Sequence, residues 1–109
     1  MVFYLCRVVK INVMEFLLIA YDGTDSTAFD RRMEVREKHL AYARELYKNG
    51  TLIKGGAFLN EEGQMIGSTV LYQAESAEEL QKVIDNDPYM TNGVWVDIKI
   101  KPIRLANLD

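Results

Sequence analysis

The spacing of hydrophobic residues predicts a strand, a long helix and a β-hairpin in the first two thirds of the chain. Residues 15–21 contain the continuous apolar run Phe-Leu-Leu-Ile-Ala-Tyr, which is typical of a central strand covered on both faces. A polar turn follows, and a helix is predicted over residues 28–48, ended by Asn49-Gly50. Two further strands are predicted over residues 52–58 and 65–73, joined by a loop at 60–63.

The last third predicts a second helix and a final strand. Ser76-Ala-Glu-Glu79 has the pattern of a capping box, and the segment Asp85-Asn86-Asp87-Pro88 is predicted to stop the helix that this box begins. The apolar face of that helix consists of Ala77, Leu80, Val83 and Ile84. In the final strand, Val94, Val96, Ile98 and Ile100 alternate with Trp95, Asp97, Lys99 and Lys101.

The order βαββαβ predicts a ferredoxin-like α+β sandwich, in which two helices cover one face of an antiparallel sheet. The alternation in the final strand assigns Trp95 to the other face of the sheet. An indole on that face indicates a partner subunit, because the uncovered face must be either polar or buried by another chain.

Composition narrows the class of protein. A chain of 109 residues forms one domain, and its net charge of −3 argues against a general nucleic-acid binder. Cys6 is the only cysteine, so neither an intrachain disulfide nor a Cys/His metal cluster is possible. No apolar stretch approaches the roughly 18–20 residues that span a bilayer. We therefore expect a cytoplasmic protein with no metal, cofactor, membrane or nucleic-acid partner.

Residues 1–13 stand apart from the rest. Their sequence MVFYLCRVVKINV lacks the basic start and the small-residue cleavage site of a signal peptide, and it is β-prone. Met14 begins a second, self-contained segment. We therefore divide the chain into two parts. Residues 1–13 are an appended N-terminal arm, the product of an upstream start codon or an extra strand, and residues 14–109 form the domain.

His39 is the only histidine, and histidine is the side chain type that titrates nearest neutral pH. At 100° per residue, Arg36 falls inside the apolar arc of the first helix, and Arg32 and His39 line one border of it. The arc consists of Phe29, Met33, Leu40, Ala43 and Tyr47. An inward-pointing arginine requires an anion, either a structural carboxylate or an acidic substrate. The alternative is that Arg36 pairs with a nearby glutamate and that His39 only packs.

Asp87 directly follows the second helix, where the partial negative charge of the helix end disfavours an acid. Pro88 restricts Asp87 to an extended conformation. Asp87 is therefore either a partner for His39 or part of an ordinary Asx turn.

Ser68 is a candidate hydrogen-bonding group for a substrate, and Tyr89 either lines a pocket or packs in the core. The pair Gly55-Gly56 permits a bulge or a close approach of a ligand.

From Met14 to about Leu105 the chain resembles the YciI-related (YCII) family. The resemblance rests on an ordered set of motifs: Phe-Leu-Leu-Ile-Ala-Tyr, Arg32…Val35-Arg36-x-x-His39-Leu40, Leu46…Gly50-Thr-Leu…Gly55-Gly56, Gly67-Ser68-Thr69-Val70, Asp87-Pro88-Tyr89…Gly93 and Lys101-Pro102-Ile103. It implies a dimeric ferredoxin-like α/β-barrel, in which the sheets of two subunits pack face to face. It also implies a pocket with a His–Asp dyad, matching His39 and Asp87, and some relatives are implicated in eliminating chloride from hydroxylated aromatics.

Two hypotheses follow for function. In the first, the protein is a cofactor-independent lyase or isomerase, in which His39 moves a proton and Asp87 orients His39. Arg36 and Arg32 bind the negative charge of a small anionic or aromatic substrate, and Ser68 and Tyr89 line the pocket. In the second, the same cleft belongs to a non-catalytic module that binds a small molecule or a partner. Both hypotheses include a homodimer or a higher homo-oligomer.

Overall fold

The structure is a computed structural model that describes residues 13–109. The strands are β1 (Met14–Asp22), β2 (Leu52–Leu59), β3 (Met65–Ala74) and β4 (Trp95–Ile103), and the helices are α1 (Ala28–Lys48), α2 (Ala77–Asp85) and α3 (Pro88–Thr91). The predicted order βαββαβ is confirmed, with the short helix α3 added before the last strand. The arm or extra strand predicted over residues 1–13 lies, except for Val13, outside the described residues. No helix within residues 13–109 has the length and apolarity needed to cross a membrane.

The four strands form one antiparallel sheet in the order β2-β3-β1-β4, the order of a ferredoxin-like fold. Alternate residues of β1 are buried: Phe16, Leu18 and Ala20 are at most 1% exposed. They share a core with Leu46 of α1 and Leu80 of α2, so both long helices pack on the same face of the sheet. The other face, which we call the open face, has no helix against it within residues 13–109, and Tyr21 there is 42% exposed. Within a single chain β1 is therefore covered on one face only.

Helix α1 buries a different stripe from the one predicted. Met33 and Tyr47, assigned to the apolar arc, are 43% and 51% exposed. The buried residues of α1 are Ala28, Arg32, Val35 and Leu46, with His39 and Tyr42 partly buried between them. The predicted arc was wrong because the true stripe contains three polar side chains, which a count of apolar residues assigns to the surface. Arg32, predicted at the border, is the deeply buried arginine, and Arg36 is only partly buried.

The capping and termination of α2 follow the prediction in part. The Ser76 hydroxyl accepts a hydrogen bond from the Glu79 backbone N–H at 3.1 Å, and the helix ends at Asp85. Leu80 and Ile84 are buried as expected. Ala77 was assigned to the same face but is exposed at the first position of the helix.

A register shift places Trp95 on the helix-covered face, so its assignment to the open face was wrong. Tyr21 pairs with Asp97 but the next residue, Asp22, pairs with Trp95, which leaves Val96 as a β-bulge. A bulge inserts one residue and reverses the alternation beyond it. Trp95 is therefore only 3% exposed inside the subunit, whereas Val96 is 62% exposed.

Candidate functional site

A cavity of about 280 Å³ lies between α1 and the strands β2 and β3. Its lining includes five of the six residues predicted for the site: Arg32, Arg36, His39, Ser68 and Tyr89. The sixth, Asp87, is 1% exposed and lies behind His39, with which it is in contact. Residues that are far apart in the sequence are thus brought to one place by α1, β3 and the start of α3.

Small residues on β2 leave room for this cavity. Gly55 pairs with Val70 and Ala57 pairs with Ser68, so both face the helices. A Cβ atom at Gly55 would lie 3.6 Å from a methyl group of Val70, at ordinary contact distance. The strand therefore has room for a Cβ atom at Gly55 but presents none. The bulge that we considered at Gly55-Gly56 lies instead at Ile53, where the pairing shifts between Leu52 and Lys54.

His39 and Asp87 are joined by a short contact between Nδ1 and Oδ1 at 2.8 Å. An ionised carboxylate only accepts hydrogen bonds, so in the neutral imidazole Nδ1 carries the hydrogen and donates it to Asp87. Nε2 then carries the lone pair. Since His39 lines the cavity and Nδ1 is occupied, Nε2 is the ring nitrogen available to a ligand.

Asp87 is held in place by the start of α3. The same Oδ1 atom accepts the Tyr89 backbone N–H at 2.9 Å, and Asp87 has the extended conformation expected before Pro88, with φ −67° and ψ 133°. Asp87 is therefore the N-cap of α3, a position where a carboxylate is favoured. The prediction that Asp87 occupies an unfavourable helix C-terminus was wrong, because a new helix begins there.

Aromatic rings fix the orientation of the imidazole. The Tyr89 ring stacks on His39 with centroids 3.9 Å apart, and the Arg32 guanidinium carbon lies 4.7 Å from the Tyr89 centroid. Trp95 meets His39 and Tyr89 edge to face, at 5.7 and 5.5 Å. Burial raises the pKa of Tyr89, so its phenol remains neutral around neutral pH. The Asp87 carboxylate at one edge of the imidazole and the Tyr89 ring on one of its faces thus hold the imidazole in one orientation.

The two cavity arginines differ in whether their charge is compensated. Arg32 Nη1 donates to both carboxylate oxygens of Asp22, at 2.9 and 3.0 Å, and Nη2 donates to Ser68 Oγ at 2.9 Å. Burial raises the pKa of Asp22, and the hydrogen bonds from Arg32 oppose that shift. The anion that we expected for an inward arginine is thus a structural carboxylate in the case of Arg32. Arg36 has no hydrogen bond or ion pair with any side chain of residues 13–109.

Asp22 and Trp95 were not assigned to the site from the sequence. Asp22 continues the period-two series Phe16, Leu18, Ala20 into the buried face, so the alternation of β1 could have identified it. Trp95 was hidden by the bulge at Val96. Within the part of the chain that the structure describes, no three His, Cys, Asp or Glu side chains come together as a metal site.

The antiparallel sheet with its helix-side cavity defines a small α+β protein of the ferredoxin-like class. The chain belongs to the YCII-related family, whose domain model matches residues 14–104. It is 34% identical over 97 residues to protein YciI of Escherichia coli O6:H1, an alignment that covers 84% of this chain and 97% of that protein. It is also 34% identical over 71 residues to a "derivative of benzaldehyde biosynthesis cluster protein C" of Emericella nidulans, covering 59% of this chain and 72% of that one.

Two solved structures extend the comparison. One is the 5-chloro-2-hydroxyhydroquinone dehydrochlorinase TftG of Burkholderia phenoliruptrix in complex with 2,5-dihydroxybenzoquinone. It superimposes with a TM-score of 0.74 at 26% identity, over 85% of this chain and 96% of that chain. The other, the cofactor-independent oxygenase SnoaB of Streptomyces nogalater, has a TM-score of 0.50 at 5% identity, over 91% of this chain and all of that one. The likeness to SnoaB shows the fold alone.

Proposed function

We propose that this protein is a cofactor-independent lyase or isomerase that transfers a proton on a small anionic aromatic or keto-enol substrate. The observation that carries the proposal is the 2.8 Å contact between His39 Nδ1 and Asp87 Oδ1 at the wall of the cavity. A buried carboxylate that fixes the tautomer of a histidine leaves a base of defined direction, which is the geometry that general acid–base catalysis requires.

In the proposed reaction, His39 Nε2 removes a proton from a C–H or O–H group conjugated with a substrate carbonyl. The bonding pair enters the conjugated system and the carbonyl oxygen becomes an oxyanion. Asp87 stabilises the imidazolium that forms, at a distance of 2.8 Å. The imidazolium then returns the proton to a different atom in an isomerisation. In an elimination, the oxyanion reforms the carbonyl and expels a leaving group. A positioned base of this kind contributes roughly 10²–10⁴-fold to the rate.

Arg36 is the group that we assign to the negative charge of the substrate. It lines the cavity and has no ion pair within the described chain, whereas the charge of Arg32 is compensated by Asp22. We assign Arg32 a supporting role, through Ser68 and the Tyr89 ring. A guanidinium one turn from His39 on α1 places a carboxylate or phenolate of the substrate beside Nε2.

The resemblance to the dehydrochlorinase supports a hydroxylated aromatic or quinone-like substrate. That protein acts on a chlorinated hydroxyhydroquinone and was solved with a dihydroxyquinone bound. Loss of HCl from such a ring is redox-neutral, because a base takes the proton and chloride leaves with its electron pair. The pairing of a histidine base with a nearby free arginine suits this chemistry.

The proposal is tested by following proton exchange and product formation on small aromatic and keto acids in D₂O by ¹H NMR. We include 5-chloro-2-hydroxyhydroquinone in the panel and measure chloride release from it. His39→Gln and Asp87→Asn should lower turnover by roughly 10²-fold or more, as expected for loss of a base or its orienting carboxylate. Tyr42→Phe is the matched control, because Tyr42 belongs to the buried stripe of α1 that includes His39 but does not line the cavity. Its hydroxyl donates to the Val83 carbonyl of α2.

The competing hypothesis, a binding module without turnover, makes a different prediction for the same panel. Thermal-shift and NMR titrations would then show saturable binding to the cavity, with no exchange or product above the background rate. Binding that survives His39→Gln while no compound of the panel turns over would reject the enzyme and favour the module.

A further inference from the structure

Ser68 has a hydrogen-bonding arrangement that the proposed proton transfer does not by itself require. Its side chain is on the helix-covered face of β3 and the residue is 3% exposed. Ser68 Oγ lies 2.9 Å from Arg32 Nη2 and 3.0 Å from Trp95 Nε1. Ser68 also lines the cavity that contains His39 and Arg36.

Both neighbours of this hydroxyl are groups that only donate hydrogen bonds. A guanidinium and an indole N–H have no acceptor capacity, so Ser68 Oγ must accept from each of them. A hydroxyl oxygen has two lone pairs, and these two bonds occupy both. The O–H hydrogen is then confined to the one remaining tetrahedral position. None of residues 13–109 accepts a hydrogen bond from it.

We propose that Ser68 is a catalytic hydrogen-bond donor, with its O–H directed into the cavity, and that the site therefore selects a substrate oxygen that can only accept. The inference deepens the proposed function and rests on it. A carbonyl, enolate or phenolate oxygen fits this position. A substrate group that must donate, such as an ammonium or a neutral amide N–H, meets a second donor there and leaves both unsatisfied.

The step at which Ser68 acts is the formation of the oxyanion. As His39 Nε2 takes the proton, the π electrons of the carbonyl move onto oxygen, and the hydrogen bond from Ser68 to that oxygen strengthens with its charge. Ser68 keeps its own proton throughout, so it is not a nucleophile or an acid. Because its direction is fixed before the substrate arrives, no reorganisation is required in the transition state.

Arg32 and Trp95 are positioning residues in this arrangement, since they act through Ser68. Trp95→Phe removes one of the two donors and frees one lone pair, which lets the hydroxyl rotate. Arg32 is also anchored to Asp22, so its guanidinium is not free to leave Ser68 for the substrate. The buried pair Arg32–Asp22 thereby holds Ser68 in position at the cavity, in addition to any contribution to the stability of the fold.

The test uses 4-nitrophenol as the probe, because its neutral and phenolate forms absorb at different wavelengths. Bound to the wild-type protein, it should ionise at lower pH than in free solution, since the cavity offers donors to the phenolate oxygen. Ser68→Ala should weaken binding of the phenolate by about 10–100-fold, corresponding to one hydrogen bond to a charged group. Ser68→Thr retains the hydroxyl and should restore most of the affinity.

Thr69→Ala is the matched control, because the Thr69 hydroxyl donates to the Leu18 carbonyl and its side chain is on the open face. It should leave the phenolate affinity unchanged. If Ser68→Ala does not fold, Trp95→Phe carries the test, with an expected intermediate loss of phenolate affinity. Equal ionisation of free and bound 4-nitrophenol, undetectable binding to the wild type, or equal affinities in wild type, Ser68→Ala and Trp95→Phe would each overturn the assignment.

Failure of this proposal is distinguishable from failure of the proposed function. The nitrophenol measurement needs no turnover, and His39→Gln should leave the Ser68-dependent preference for phenolate in place. If the phenolate preference depends on Ser68 but no substrate turns over, Ser68 is confirmed as a donor and the proposed enzymatic function is rejected. If substrates turn over and Ser68 has no effect on phenolate binding, the enzymatic function is supported and the role of Ser68 as a donor is rejected.

Discussion

Neighbouring arginines on α1 have very different surroundings. Arg32 is 3% exposed and its charge is compensated by Asp22, whereas Arg31 pairs with Asp25 on the surface. Arg36, one turn further along, has no ion pair within residues 13–109. The helical pattern predicted that Arg36 points inward and needs an anion, but the buried arginine is Arg32. That was decided by Asp22, a carboxylate at the end of a buried strand.

Removal of the charge of Asp22 should destabilise the protein strongly. In Asp22→Asn the guanidinium of Arg32 stays buried without a counter-charge, which typically costs about 3–5 kcal/mol in free energy of unfolding. Asp25→Asn is the control, since the Arg31–Asp25 pair is solvated and should contribute nothing measurable. Urea titrations of both variants give the comparison. Similar midpoints would show that the buried pair does not stabilise the fold.

His39 should exist, when neutral, in the tautomer with the hydrogen on Nδ1. The reason is the Asp87 carboxylate 2.8 Å from that nitrogen. Because the chain has one histidine, the ¹⁵N shifts of a histidine-labelled sample report on this ring alone. In Asp87→Asn the carboxamide retains the N-cap of α3 but can also donate to the ring, so the preference for this tautomer should weaken. A wild-type spectrum dominated by the Nε2–H tautomer would contradict the geometry.

The strands and long helices were predictable from their apolar runs, their alternation and the residues that end them, and what failed was the buried face of α1 and of the first residues of β4. The bounds of α1 were predicted correctly, but its buried stripe contains Arg32, His39 and Tyr42. These polar groups are buried because Asp22, Asp87 and the Val83 carbonyl provide partners from other elements, and such partners are not visible in a helical pattern. The bulge at Val96 reversed the face of Trp95 in the same way, since a single inserted residue leaves the local alternation intact.

The absence of a side chain at Gly55 on β2 should determine whether the cavity can be occupied. Gly55→Val places a side chain against Val70 at ordinary contact distance and fills part of the space. We expect at least a tenfold loss of 4-nitrophenol affinity. The free energy of unfolding should be unchanged or higher, because valine is a better strand residue than glycine.

Gly56→Val is the control for Gly55→Val, because the neighbouring position pairs with Thr69 on the open face and a Cβ atom there has nothing within 4 Å. Nitrophenol titrations and thermal melts of the two variants are compared at equal oligomeric state. Unchanged affinity in Gly55→Val would show that the ligand binds elsewhere.

The molecule as a whole is asymmetric, since its helices cover one face of the sheet only. The other face has Leu17, Ile19 and Leu71, with Lys54, Lys99 and Lys101 beside them. On that open face the rings of Tyr21 and Phe58 stack with centroids 5.1 Å apart, over Gly67, where a Cβ atom would lie 3.1 Å from each ring. A row of aliphatic and aromatic side chains on one face of a sheet is typical of an interface. We propose that two copies pack through these faces, as the family resemblance implies.

Leu71→Lys should therefore convert the protein to a monomer. A lysine at this position would lie across from Lys54 and would have to bury its charge in a face-to-face sheet pair, which costs more than the apolar area of the interface contributes. Light scattering at micromolar concentration measures the mass, and Leu108→Lys, at a position 91% exposed, is the control. Since Ser68, His39 and Asp87 belong to the opposite face, the monomer should retain nitrophenolate binding. A wild-type protein that is monomeric at these concentrations would refute the proposed dimer, and the proposals about the cavity would be unaffected.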